Sequence, residues 1–409
     1  MIDKETVIGF EALYESARKC KRGVMGKSSV AGFMLDAIEN VIKLEDELKH
    51  VNGKRYVARP TNTFEITHPK RRQIVSIAFR DRIPQRSLND NAVYPQMTKS
   101  FIRDNWACQH GKGTDYARRR IEQMLVAARR KYGPDFYVVQ FDIHGYYKHM
   151  RHDVAEGEFR KHLDPWTYAC AEAVLRRQYP GDIGYNPGSQ MVQIAGLSVL
   201  NPQDHYIKEV LRVKNCGRYM DDFPLIVPTL SDAEHCLKAV TVKLAEIGLE
   251  PNPKKTRIFK IGEGLKILGY IFRLAPSGKV LMLIDPANVK NHRQRLRKMA
   301  AKCRRGELPI SRLYTCHAGW RNHASKGNTH KVLIRTDKYF KSLINQIKEA
   351  NQNGRNQNQK TRNGSERAGG AASGNHERRA DSGQSYVCSH DDWRGAGNNR
   401  ECNARWWKQ

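Results

Sequence analysis

The chain has 409 residues and carries 71 Lys and Arg against 42 Asp and Glu, a formal net charge of +29. A surplus of this size makes a field that attracts polyanions and releases their counterions on binding, so a nucleic acid is the default partner and an anionic membrane surface the weaker one. No apolar run approaches the roughly 18–20 residues of a bilayer span, and the stretch after Met1 lacks the apolar core of a secretory signal, so no membrane partner and a cytoplasmic location are expected.

The chain-order reading begins with "VAGFMLDAIENVIKLEDELKH" (30–50), where Phe33, Ala37, Ile38, Val41, Ile42 and Leu44 recur at helical spacing and predict one amphipathic helix. In "RRQIVSIAFRDRIPQRSL" the residues from Ile74 to Phe79 alternate as a strand leading into an Arg-rich turn. "DYARRRIEQMLVAARRKYG" is a helix stopped by Gly133-Pro134. "FYVVQFDIHGYY" is aromatic and β-branched, hence a buried strand, and it ends at Asp142. "KNCGRYMDDFPLIVP" (214–228) reads as a hairpin with two strand arms and the acid pair Asp221-Asp222 at its tip. Pro224 fits a central strand poorly and predicts a bulge or an early turn there.

Residues 231–248 form an amphipathic helix with Ser231 as N-cap and Gly248 as its end, and "LKILGYIFRL" is a further strand. Strand, helices, hairpin, helix and strand in this order suit an α+β sheet with helices on one face. Three basic helices follow, with Leu296, Met299, Leu313, Trp320, Leu333 and Leu343 as their core. From Asn351 the chain is Asn, Gln, Gly and Arg with almost nothing apolar, a composition that cannot offset chain entropy, so disorder is expected. Its end, with Trp393, Trp406 and Trp407 among arginines, reads as unstructured, with a short RNA-contacting motif or a docking helix as alternatives. The nine cysteines are odd in number with no CxxC pair and read as reduced thiols. Cys316-His317 with His323, and Cys388 and His390 with Cys402, lack the spacing of a zinc finger.

The chemistry concentrates on acids. Apolar residues on both sides of Asp221-Asp222 bury the arms and force the tip outward, and Asp142 terminates the other apolar strand, so three carboxylates can converge on one sheet edge. Like charges at close range raise one another's pKa, a cost that divalent cations remove. Two Mg²⁺ ions roughly 3.5–4 Å apart can activate a 3′-hydroxyl, bridge a triphosphate and stabilise leaving pyrophosphate. Three Asp and no His suit that ion.

"FDIHGYY" and "RYMDD" together resemble motifs A and C of reverse transcriptases. "RRQIVSIAFRDRIPQ" (71–85) resembles the fingers segment of bacterial retron-type enzymes, and "DNWACQHGKGTDYARRRI" (104–121) another stretch of that family. "GLEPNPKKTRIF" and "LKILGYIF" resemble motif D and the segment that ends the palm, so the matches run in order from about residue 55 to 275.

The resemblance implies a right-hand polymerase of bacterial or phage type. Its parts would be an N-terminal helical segment (1–45), fingers and palm (46–275), a helical thumb (276–350) that clamps a duplex by its phosphates, and a disordered basic tail (351–409). The activity implied is primer extension on an RNA template with deoxynucleoside triphosphates, from a DNA or RNA primer and with an accessory protein subunit as a candidate partner. Asp142, Asp221 and Asp222 would be catalytic, and with the Ile143 backbone carbonyl they would hold two Mg²⁺ ions, Mn²⁺ being a substitute. Lys70 and Arg72 would bind the triphosphate, Tyr147 would exclude a ribonucleotide 2′-hydroxyl with Tyr146 facing away by strand alternation, and Lys255 would protonate pyrophosphate.

Around Gly188 the pattern departs from the common one: Val192-Gln193 stands where diversity-generating retroelement enzymes keep Ser-Gln, and the Gln that group II intron and retron enzymes place before the glycine is Pro187. Gln193 leans toward the diversity-generating kind, with a pocket that checks base geometry less stringently; a retron-like lineage is the alternative. Two rivals stay open: a template-independent polymerase of defence type using the same aspartates, and an RNA-binding relative that no longer polymerises.

Overall fold

The computed structural model describes residues 2–66, 71–186 and 188–368. It divides into a unit that ends at Leu281 and a second that starts at Met282.

The first unit opens with α1 (Glu5–Ile8), α2 (Phe10–Cys20), α3 (Ser28–Leu35) and α4 (Ala37–Lys49). The single helix expected over 30–50 is thus two, broken at Asp36, whose φ of −111° and ψ of 46° leave the helical region. The break lets each half face a different neighbour, α4 against α2 and α3 against α5 (Phe79–Leu88). Leu13, Ala17, Val30, Val41 and Leu44 share one core with Phe79 and Ile83 of α5, while Ile38 and Ile42 stay exposed. An antiparallel ribbon of β1 (Asn62–Ile66) and β2 (Arg72–Ser76) precedes α5, with Ile66 opposite Arg72. Helix α5 replaces the expected Arg-rich turn, because Phe79, Ile83 and Leu88 give it a buried stripe. Asp81 within it is fully buried and accepts from the Tyr56 hydroxyl at 3.0 Å and the Arg59 N–H at 2.8 Å.

After α6 (Tyr94–Met97), α7 (Thr114–Tyr132) stops at Gly133-Pro134 as expected, and β3 (Tyr137–Asp142) ends at Asp142. Next come α8 (Tyr146–His149), α9 (His152–His162), α10 (Pro165–Gln178), α11 (Gln190–Ser198), α12 (Asn201–His205) and β4 (Asp222–Val227). The hairpin's first arm is not a strand: residues 216–219 make only single bridges, Cys216 to Leu225, Arg218 to Asn105 and Tyr219 to Asp222. The unit closes through α13 (Leu230–Glu246), β5 (Arg257–Lys260), β6 (Leu265–Ile267) and β7 (Tyr270–Leu274), and β8 (Val280–Ile284) spans its end.

Strands β4, β3 and β5 form an antiparallel sheet in that order, with Val139 opposite Leu225 on one side and Ile258 on the other. The odd-numbered side chains Val139, Phe141, Phe223 and Leu225 enter a core shared with Phe159 of α9, Val192 and Leu197 of α11 and Val240 of α13. Phe141 and Phe223 stack across the strand pair with centroids 4.9 Å apart.

Pro224 causes no bulge, since β3 and β4 stay in continuous register from Tyr137–Val227 to Asp142–Asp222. The N–H groups of Asp222 and Ile226 point away from β3, to the carbonyls of Tyr219 (3.2 Å) and Asn215 (2.9 Å). Alternation turns the nitrogen of Pro224 the same way, so no bond of the β3 ladder is lost. Three further expectations shift. The α13 cap is Thr229, whose hydroxyl accepts the Asp232 N–H at 3.1 Å, so Ser231 lies inside the helix. "LKILGYIFRL" is a hairpin of β6 and β7, because Leu268 and Gly269 take φ of 55° and 82°, the pair of left-handed residues that a two-residue loop requires. Tyr146 and Tyr147 lie on the helical turn α8 rather than alternating along a strand.

The second unit holds α14 (Pro286–Arg304), α15 (Ile310–Ala324) and α16 (His330–Ala368). Leu296, Leu313 and Leu343 are buried with Ala300, Phe340 and Ile347, Met299 packs at the margin and Leu333 is half-buried. Helix α16 runs through 351–368, so the boundary expected at Asn351 falls inside a helix. The Trp-Arg end lies outside the described residues. Among the described residues no helix is long and apolar enough to cross a membrane.

Trp320 is a packing residue: its ring stacks on His292 with centroids 4.4 Å apart, and its N–H donates to Asn288 Oδ1 at 2.8 Å. His317 Nε2 lies 2.9 Å from Asp337 Oδ1, which only accepts, so Nε2 carries the proton and Nδ1 accepts from His292 Nε2 at 3.2 Å. Arg321 also donates to Asp337. Burial, with the charges of His317, Arg295 and Arg293, lowers the His292 pKa to about 3, and burial lowers that of His317 against the pull of Asp337. An unfolded histidine binds its proton near pH 6.5. The folded value is the lower one, so this stability is whole above about pH 6.5 and drains as pH falls toward the folded value. Melting of the full chain is expected to lose about 1–2 kcal/mol of stability between about pH 7.5 and about pH 5, and less in His292→Gln. Equal pH dependence in the two proteins would refute this role.

Candidate active site

The ends of β3 and β4 carry the site. Asp142 and Asp222 are direct cross-strand partners, the last and first residues of their strands. Tyr219 and Asp222 close the tip by mutual backbone bonds of 2.9 and 3.2 Å, with Met220 at a φ of 58°. The Asp221 carbonyl accepts the Ile143 N–H at 3.2 Å, which ties the tip to the residue after Asp142.

Asp142 is held from the segment between α13 and β5. Lys255 Nζ donates to its Oδ2 at 2.6 Å and Asn252 Nδ2 to its Oδ1 at 3.0 Å. The Asn252 N–H reaches the Asp142 carbonyl at 2.7 Å, and the Thr256 hydroxyl lies 3.2 Å from that carbonyl and 3.3 Å from the Asp142 nitrogen. Gln140, one alternation back on β3, donates to Asp222 Oδ1 at 3.3 Å and to the Lys266 carbonyl at 2.7 Å. Burial, added to the negative charges of Asp221 and Asp142, pushes the Asp222 carboxyl up to about 7 against the pull of Gln140 and Lys255.

Tyr147 sits beside this cluster. Burial raises its hydroxyl well above the ordinary value, with Tyr146, Cys108 and Asp221 adding to the rise. Gly196 of α11 makes room for it: a Cβ there would meet the Tyr147 hydroxyl at 3.0 Å and its ring at 3.2 Å. Tyr146 is buried and donates its hydroxyl to the Gly196 carbonyl. Gly188 lies against β2, where a Cβ would stand 3.4 Å from the Val75 carbonyl. Gln193 is half-buried on α11 and Arg72 begins β2. Lys70 lies outside the described residues. The structure thus gathers Asp142, Asp221, Asp222, Lys255 and Tyr147, and places Gly188 at the ribbon instead.

Sequence reasoning missed Gln140, Asn252, Thr256 and the buried Arg218. The Asn-Pro before Lys254-Lys255 was the signal for Asn252; Gln140 and Arg218 stand next to recognised motifs but reveal themselves only by long-range contacts.

The donor set suits a hard divalent cation: carboxylate oxygens crowd until one is driven toward its neutral form, a strain that a cation relieves. Among the described residues, however, no three of His, Cys, Asp and Glu already close a metal cage. Both Asp142 oxygens are engaged by Lys255 and Asn252. The Lys255 side chain is 54% exposed on a flexible stem, so it can swing off Oδ2 at small cost.

Residues 72–272 match the family described as reverse transcriptase (RNA-dependent DNA polymerase). No curated protein matches the chain. Similar solved structures include apo telomerase from Candida tropicalis truncated from its C-terminal domain, 13% identical over 55% of this chain and 56% of that one, with a TM-score of 0.41. Telomerase from Candida albicans in complex with the TWJ fragment of telomeric RNA is 11% identical over 71% of this chain and 58% of that one, with a TM-score of 0.42. The chain spans little more than half the length of either telomerase. Over residues 72–272, which hold mixed helices and the antiparallel β4–β3–β5 sheet, the chain thus carries a region similar to the reverse transcriptase (RNA-dependent DNA polymerase) family.

Proposed function

We propose that the whole chain extends a primer on an RNA template with deoxynucleoside triphosphates, and that Asp142, Asp221 and Asp222 are its catalytic acids. The observation that carries this reading is the register that sets Asp142 directly opposite Asp222 at the mouth of the sheet, with Asp221 at the tip beside them. Reverse transcriptases use divalent metal ions. In this chain Asp142, Asp221 and the Ile143 carbonyl, with Asp222 assisting, would hold two Mg²⁺, or Mn²⁺ in its place. Bound there, the ions supply Lewis acidity to the attacking hydroxyl and the leaving pyrophosphate.

The chain's own groups do the remainder. Lys255 carries a proton at Nζ and is the donor for departing pyrophosphate. Lys70 and Arg72, the latter opening β2, grip the triphosphate. Tyr147 crowds the sugar's 2′ position, and Gly188 and Gln193 line the nucleotide pocket. Residues 46–275 act as fingers and palm, and the basic helices of 276–350 as a thumb on the duplex phosphates. A diversity-generating retroelement or a retron, in a bacterium or phage, is the setting this favours, with an accessory protein subunit as partner.

Primer extension on a defined RNA template tests the reading. Products that copy the template and require Mg²⁺ support it, products that ignore the template favour the template-independent rival, and RNA binding without incorporation favours the non-polymerising one. In the same assay Tyr147→Ala is expected to raise ribonucleotide incorporation relative to deoxynucleotide by roughly 10- to 100-fold, the range set by a steric contact worth about 1–3 kcal/mol. Unchanged discrimination would make Tyr147 a core residue only.

A further inference from the structure

The hairpin tip poses a mechanical question, because one of its two arms has no strand structure. β4 is fixed by six register pairs with β3, whereas residues 216–219 make only isolated bridges. A left-handed Met220 is also disfavoured for a residue with a side chain and must be held by its surroundings.

The holding group is the guanidinium of Arg218, a residue only 1% exposed. Its Nε and Nη2 donate to the two oxygens of Asp204, at 2.8 and 2.7 Å, in a fork-to-fork pair. Two further donors go to main chain: Nη2 to the Leu197 carbonyl at 2.9 Å and Nη1 to the Met220 carbonyl at 3.1 Å. The Arg218 backbone is clamped too, its N–H on the Asp104 carbonyl and its own carbonyl taking the Trp106 N–H, both at 2.8 Å. Lys208 seconds the arrangement, its Nζ donating to the carbonyls of Lys214 (2.7 Å) and Cys216 (2.8 Å).

An ion pair this deep is a poor way to stabilise a fold, because two apolar side chains of similar volume would pack there at no desolvation cost. What an apolar pair cannot do is donate to the carbonyl of Met220. We propose that the Arg218–Asp204 pair is a positioning device for the reaction: it fixes the Met220 peptide and thereby the carboxylates of Asp221 and Asp222 relative to Asp142. The inference rests on reading those acids as the polymerase centre. Neither residue of the pair touches substrate; each acts through the tip.

The test compares the full-length wild type with Arg218→Lys and with the double variant Arg218→Met, Asp204→Leu, which removes both charges and refills the volume. The double variant is expected to melt within about 5 °C of wild type. Its kcat should fall roughly 10- to 100-fold, the penalty for a misplacement of about 1 Å, with the KM for deoxynucleotide within about threefold. Arg218→Lys keeps a cation beside Asp204 but loses the planar fork, and is expected to show the same split; it carries the test alone if the double variant does not fold. Titration with Mn²⁺ alone, against Asp142→Asn as the blank, should show affinity weakened about tenfold in both variants, the lower end of what loss of a ligand-orienting contact does. A wild-type kcat and Mn²⁺ affinity in the folded variants would overturn the proposal. If the wild type itself extends no primer, the polymerase reading fails while the Mn²⁺ titration still decides whether Arg218 sets the acids.

Discussion

Asp142→Asn and Asp221→Asn are each expected to cut primer extension by roughly 10³-fold or more while leaving the fold intact. Asparagine matches aspartate in shape, so the Asn252 Nδ2 keeps an oxygen to donate to at position 142. Lys255 loses its ion pair, but a half-exposed lysine returns to water at little cost. What disappears is charge. The rise of the Asp222 carboxyl to about 7 comes from burial first and then from the charges of Asp221 and Asp142, so either amide removes one of the two charge contributions and leaves the burial. In a chelating buffer both variants should therefore melt no lower than the parent, a gain of stability bought at the expense of activity. Extension at an undiminished rate by either variant would remove these acids from the chemistry.

The second large effect is on stability. Gly217→Ala puts a methyl group into the six-membered ring of Trp106 and 2.8 Å from the Asp104 carbonyl. Neither neighbour can retreat. Trp106 is fully buried, and residues 104 and 106 are tied to Arg218 by two backbone bonds of 2.8 Å. Overpacking of this kind costs about 1–3 kcal/mol, and the rigid clamp places this site at or above the top of that range. The melting temperature should drop by roughly 5 °C or more, read by calorimetry on the full chain. An unchanged melting curve would mean that the Trp106 ring does not pack where the first arm meets it.

The parts of the site that could be read from residue order are those where a local pattern carries the information. β3 ends at Asp142 because an aromatic and β-branched run stops there, and the acid pair falls at the end of the sheet, Asp222 opening β4 opposite Asp142, because the apolar run Phe223–Val227 follows it. Helix α7 stops where Gly-Pro says it must. Backbone detail at single residues was not legible: the left-handed Leu268 splits one apolar run into two strands, and the helical stripe of Phe79, Ile83 and Leu88 overlaps the end of a strand pattern. Helix α16 continues through polar residues 351–368, since extending an existing helix requires only backbone bonds, which composition does not report. Least legible were the groups that hold the acids in place. Gln140, Asn252 and the Arg218–Asp204 pair act across 14 to more than 100 residues of chain, and such partners emerge only when the fold brings them together.

Pro224 also shapes how the molecule behaves among its neighbours. With the amides of Asp222 and Ile226 already committed to the carbonyls of Tyr219 and Asn215, and a ring nitrogen between them, the outer rim of β4 offers an incoming chain no free donor along that stretch. A foreign segment therefore cannot zip onto the sheet along this edge.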